Sequence, residues 1–188
     1  YLKLLGTERF HYRSWHRSSH NRVLLLHGLG ECADVWSLFA NSLIDADIIA
    51  MDLRGHGGTP SNPNRKFGIE NFVADLRLQI DYWARKCVVI GSGLGARLAA
   101  EAAISCPDFV RAVVLFDVST GYALGDTLVE ILRESYLDGQ TARQSDFSAE
   151  PWSQIYNQLT WARPGGTRVP KCDGVLLERF YESEIIEK

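Results

Sequence analysis

The chain has 188 residues, 46% of them hydrophobic, with five tryptophans and a formal charge of −3. That length and apolar fraction bury one substantial core rather than two. The slightly acidic balance gives no electrostatic reason to expect nucleic acid or an anionic membrane as partner, which leaves small molecules and proteins.

Cys32, Cys87, Cys106 and Cys172 stand far apart, with no C-x-x-C pair and no histidine at metal-ligand spacing. They read as buried free thiols, and no metal is assigned. No charged-then-apolar leader and no apolar run of about 18 residues occurs, so the expected compartment is cytoplasmic.

In chain order, Phe10 to Trp15 predicts an early strand. Val23 to Leu26 is a continuous apolar run ending at His27-Gly28, and Ile48 to Met51 is another, ending at Asp52. Such runs suit parallel strands covered on both faces. Between them Val35, Trp36, Phe39 and Leu43 fall at helical spacing, which supplies the crossover that two parallel strands require. Arg54 to Asn64, rich in Gly, Pro and Asn, reads as a loop. Ile69, Phe72, Val73, Leu76, Ile80 and Trp83 then mark an amphipathic helix. Val88 to Ile90 predicts the next strand, and Gly91 to Gly95 turns the chain into the alanine-rich helix Ala96 to Ile104, which Cys106-Pro107 stops. Val113 to Phe116 is one more strand, with Asp117 at its carboxyl end. From Ser119 the pattern changes to long amphipathic stretches around 128–137 and 152–161, broken by Pro164-Gly165-Gly166. The expectation is an α/β fold, a mostly parallel sheet over residues 1–118 followed by a helical region over 119–188.

The order L-L-L-H-G, M-D-L-R-G-H-G, V-V-I-G-S-G-L-G and P-D-F-V-R-A-V-V-L-F-D resembles the α/β-hydrolase superfamily over roughly Phe10 to Asp117. The resemblance implies an α/β-hydrolase-type sheet, a cap over the active site in 119–188, no cofactor, and an ancestral chemistry of ester or carbon–carbon bond hydrolysis. It further implies that His27-Gly28 leads into an oxyanion hole whose donors come from around Leu29 and from Leu94, the residue after the nucleophile.

Matching G-x-S-x-G onto Gly91-Ser92-Gly93-Leu94-Gly95 places Gly93 at the nucleophile position, so the residue that does the chemistry is missing. Ser92 is one position early, and centring the motif on it sets Ile90 and Leu94 where strand and helix need glycine. In the family the acid and the histidine follow the nucleophile, yet His11, His16, His20, His27 and His56 all precede it. Asp117 occupies the place where some members keep their acid; with no histidine downstream it reads as a loop or helix-cap carboxylate. His56, in Arg54-Gly55-His56-Gly57, reads as a structural turn that Asp52 and Arg54 tie down, and Trp152 and Trp161 read as packing residues.

Glycine at the elbow is also similar to the N-myc downstream-regulated proteins, a noncatalytic branch of the fold; the similarity is confined to that turn. Gly91, Gly93 and Ala96 also satisfy G-x-G-x-x-A between a strand and a helix, the pattern of a dinucleotide site. Against that stand the upstream landmarks, and a span from Gly91 to Asp117 longer than the about 20 residues the fingerprint prefers.

Four readings follow. The chain is a noncatalytic protein that binds a small apolar ligand or a protein partner. It is a portion or inactive form of a serine-type hydrolase, completed by another segment or chain. It is a dinucleotide-binding protein. Or it is a proton-abstracting enzyme that needs His27 or His56 as base. In the family the sheet continues beyond the cap, so the strand at Val113 would expose a hydrophobic edge. A second chain, further sequence, or a strand at Val175 to Leu177 would then cover it.

Overall fold

The computed structural model describes residues 2–5, 8–61, 64, 66–83, 86–117, 160–162, 168–172 and 176. The chain opens with an antiparallel pair, β1 (Leu2–Leu5) and β2 (Glu8–Trp15). Next come β3 (Arg22–Leu26), a 3₁₀ turn (Ala33–Trp36), α1 (Ser37–Ser42) and β4 (Asp47–Met51). Then α2 (Ile69–Trp83), β5 (Cys87–Ser92), α3 (Leu94–Ser105) and β6 (Val110–Phe116) follow.

The six strands form one sheet in the order β1-β2-β4-β3-β5-β6. The apolar runs become its parallel centre: Val23 pairs with both Ile48 and Val88, and Ile90 pairs with Val114. Alternation along β3 divides it between two cores. Leu24 and Leu26 face Met51, Leu76 and Leu98 under α2 and α3, while Val23 and Leu25 face Ile48, Ala50 and Trp36 under the 3₁₀ turn. Both faces of β3 are therefore dry, which is why its sequence does not alternate.

The crossover expected as one helix breaks into a 3₁₀ turn and a short α1. Asn41 and Ser42 are weak helix formers, and the Ser42 hydroxyl bonds back to the Phe39 carbonyl at 2.7 Å, ending the helix early. The early strand reaches back to Glu8 and is one arm of a hairpin with β1.

Among the described residues β6 is an edge strand, with Val114, Leu115 and Phe116 exposed to 39%, 38% and 45%. The stretches 118–159 and 163–167 lie outside the described residues, and with them the helix expected at 128–137 and Trp152. Trp161, placed by its spacing in a helix, instead sits in β7 (Thr160–Ala162), which pairs antiparallel with β8 (Arg168–Pro170). Leu176 is helical and fully buried, not part of a strand, and with Cys172 it joins the core of Leu24 and Leu76. Cys172 also bridges antiparallel to His56, so this late segment is docked on the sheet. All four cysteines are buried thiols rather than halves of disulfides. No described helix is long and apolar enough to cross a membrane.

Candidate functional site

Parallel strands aim their carboxyl ends at one edge, and the turns after β3, β4, β5 and β6 meet there. The sharpest is the turn from β5 to α3, where Gly93 sits at φ 53° and ψ −117°. That conformation favours glycine, and an L side chain there is strained. Among the described residues a side chain nonetheless has room: a Cβ on Gly93 would meet only the Gly28 Cα, at 3.7 Å.

The flanking glycines are different. A Cβ on Gly91 would overlap the Gly95 carbonyl, and one on Gly95 would overlap the Leu26 carbonyl. They let α3 lie against β5 and β3, so the elbow is centred on Gly93. Ser92 is not at its apex; it remains in β5, paired with Phe116. The same packing tells against the dinucleotide reading. The space beside Gly91 and Gly95 is filled by the chain's own backbone, and Ala96 is fully buried, so these small residues bring helix to strand and leave no open cradle for a pyrophosphate.

The loop after β3 is a tight turn from Gly28 to Glu31, with Gly30 at φ 75° in its third position, as a type II turn requires. Its N–H groups are almost all spoken for. Gly28 donates to the Glu31 carboxylate at 2.7 Å, Gly30 to His56 Nε2 at 3.1 Å, and Glu31 to the Gly28 carbonyl at 3.3 Å. The Leu29 N–H, in a residue only 4% exposed, meets no acceptor among the described residues. Leu94 opens α3 and is buried, so its N–H has no helical carbonyl four residues back. Buried N–H groups left open are costly, and both belong to the turns that enclose the space above Gly93.

The histidines near this edge are structural. His27 Nδ1–H donates to the Gly28 carbonyl at 2.7 Å, and its Nε2 accepts the Leu53 N–H at 2.9 Å. His56 likewise bonds the Arg54 carbonyl through Nδ1 and the Gly30 N–H through Nε2. Each ring is thus neutral with one tautomer fixed. Burial drives the His56 pKa down to about 3 and lowers that of His27. Neither has a free nitrogen for a ligand proton, which removes the base that the proton-abstraction reading needs. Of the other three, His11 bonds Asp52 at 2.7 Å, and His16 and His20 are exposed.

Asp52 is a hub. It accepts His11, the Ala33 N–H at 2.6 Å and the Gly58 N–H at 2.8 Å. Burial works against its charge, but these bonds hold its carboxyl below the usual range. Arg54 reaches Asp75 through two bonds of 2.6 Å and caps the Lys66 and Asn71 carbonyls, clamping the loop to α2. Asp117, exposed and at φ 55°, follows Phe116, whose carbonyl accepts the Gly93 N–H at 3.2 Å. It stands beside the elbow, and no histidine bonds to it among the described residues.

Sequence reasoning missed Glu31, Asp75 and Lys171. Asp75 was detectable, because it falls on the apolar face of α2 beside Phe72 and Leu76, where a lone charge demands a partner. Lys171 is buried, donates from Nζ to the Asp34 carboxylate at 3.1 Å and accepts the Gly57 N–H on its carbonyl at 2.6 Å, fastening the late segment to this edge.

Residues 21–165 match the family model for the α/β hydrolase fold. Lipase LipV of Mycobacterium tuberculosis is 30% identical over 151 residues, 77% of this chain and 56% of that protein. Epoxide hydrolase 4 of Homo sapiens is 29% identical over 136 residues, 68% of this chain and 37% of that protein. The crystal structure of E-2-(acetamidomethylene)succinate hydrolase superposes with a TM-score of 0.77 at 20% identity, covering 100% of this chain and 73% of that one. The chain spans about half the length of the curated relatives it matches. With the strand order, the elbow and the family match agreeing, the chain belongs to the α/β-hydrolase fold family.

Proposed function

We propose that this chain is a noncatalytic hydrolase-fold protein that binds a small apolar ligand or a protein partner at its elbow. One observation carries the reading: in the buried residues Leu29 and Leu94, which flank a position that holds glycine, the N–H groups meet no acceptor among the described residues. Two such donors suit a carbonyl oxygen. Without a hydroxyl at position 93, and with the His27 and His56 rings committed to backbone, a bound carbonyl compound meets no side-chain nucleophile at position 93 and no histidine base among the described residues. A cytoplasmic setting belongs to this reading, supported by four buried thiols rather than disulfides.

The test is hydrolysis of p-nitrophenyl butyrate by the chain and by its Gly93→Ser variant. Both are expected to match the solvent background. A Gly93→Ser rate well above background would mean that a base is at hand, and would overturn the reading.

A second reading has one observation in its favour. The exposed apolar edge of β6, in a chain about half the length of its curated relatives, suits a portion of a working hydrolase completed by another segment or chain. Mixing the chain with such a segment would then restore turnover to Gly93→Ser.

A further inference from the structure

Glu31 has no part in the family's catalytic pattern, yet its carboxylate is tied to the turn that faces the elbow. Its carboxylate is half-buried and held by the Gly28 N–H at 2.7 Å. A Cβ on Gly28 would come within 3.1 Å of the same oxygen, so the carboxylate lies along the Gly28 backbone. Gly28 is also the residue that faces the vacant side-chain position of Gly93, its Cα 3.7 Å from a Cβ there. With a standard N–Cα bond between the two contacts, the Glu31 oxygen stands within about 8 Å of that Cβ. Asp117 adds a second carboxylate where β6 meets the elbow. Among the described residues, Arg13 and Lys171 pair with Asp34, and Arg54 with Asp75.

An oxyanion would meet two N–H donors here but also a negative charge within about 8 Å of the Gly93 side-chain position. A neutral carbonyl would keep the donors without that repulsion, and a carbonyl carrying a cationic group would gain from it. We infer that Glu31 sets the ligand class of this pocket, which takes a carbonyl compound bearing an ammonium or other N–H donor beside the carbonyl and rejects one bearing a carboxylate. The inference rests on the binding reading above and assigns the chemistry that reading leaves open.

Three amides of similar size separate the cases: glycinamide carries an ammonium, propionamide is neutral and malonamate carries a carboxylate. Each is titrated into the ¹⁵N-labelled full chain while the Leu29 and Leu94 amide resonances are followed. Glycinamide should bind tightest and malonamate weakest, with a spread on the order of tenfold for one screened unit charge. Glu31→Gln keeps an acceptor for the Gly28 N–H, so the turn persists, and it should bring the three affinities together. Equal affinities in the parent chain, or malonamate binding best, would overturn the role of Glu31 while leaving the binding reading in place. If none of the three moves either resonance, both fall.

Discussion

Replacing Gly95 with alanine, and Gly93 with alanine beside it, tests where the elbow is centred. The Gly95 Cβ would run into the carbonyl of Leu26 and approach that of His27 to 2.7 Å, both backbone atoms of the buried central strand. No side chain can swing away, so α3 must lift from β3, opening the contacts of Leu94, Leu98 and Ala102 with the core. Overpacking of this kind costs about 4 kcal/mol or more, enough to unfold a marginally stable domain. At Gly93 the added carbon meets ordinary contact at 3.7 Å, and the cost is only backbone strain at φ 53°, about 1–3 kcal/mol. For a chain of this size each kcal/mol lowers Tm by about 2–4 °C. Thermal denaturation followed by circular dichroism should therefore show a modest loss for Gly93→Ala and a loss of roughly 10 °C or more, or no folded protein, for Gly95→Ala. If Gly95→Ala is as stable as Gly93→Ala, the elbow is not centred on Gly93 and the reading of the site fails.

The clamp on the loop after β4 makes a second prediction. Arg54→Met removes both guanidinium bonds to the buried Asp75 carboxylate and should cost about 3–5 kcal/mol in urea denaturation, whereas a loss under about 1 kcal/mol would show the pair to be dispensable. Both buried histidines have folded pKa values below the unfolded 6.5, so the unfolded chain binds the extra protons. Their contribution to stability is complete above pH 6.5 and shrinks as the pH falls below it, for His56 down to about 3 and by about 1 kcal/mol per pH unit. Urea midpoints between pH 6.5 and 5, above the carboxylate range, should fall with pH; a flat profile would contradict neutral, bonded rings. Lys171→Met removes the tie to Asp34, and hydrogen exchange at the Gly57 N–H, which donates to the Lys171 carbonyl at 2.6 Å, should quicken. Unchanged protection there would mean that the backbone bridge alone holds the segment.

Much of the sheet could be read from residue order because β3, β4 and β5 are covered on both faces and announce themselves as unbroken apolar runs. The amphipathic spacing from Ile69 to Trp83 marks α2 to the residue. The hairpin of β1 with β2 was less visible, since β1 has only four residues and β2 mixes charged and polar side chains with its aromatics. The register of the elbow was legible because glycines at 91 and 95 have a steric purpose, which the backbone overlaps now specify. Glu31 was not: its role is a bond from a side chain to backbone N–H within one turn, and no periodicity records such a bond. Lys171 lay deeper still, 137 residues from its partner Asp34 and inside a region whose spacing pointed to helix. His27 and His56 were candidates for a base by proximity alone. Only the partners of both ring nitrogens reveal that they fasten the turns after β3 and β4.

Fluorophosphonate labelling of Gly93→Ser, read by intact mass, tests most directly whether chemistry has left this elbow. A serine there would occupy the nucleophile position with the Leu29 and Leu94 donors beside it, and labelling would still require a base to activate the hydroxyl. The account predicts an unmodified mass. A stoichiometric phosphonyl adduct on residue 93 would contradict it.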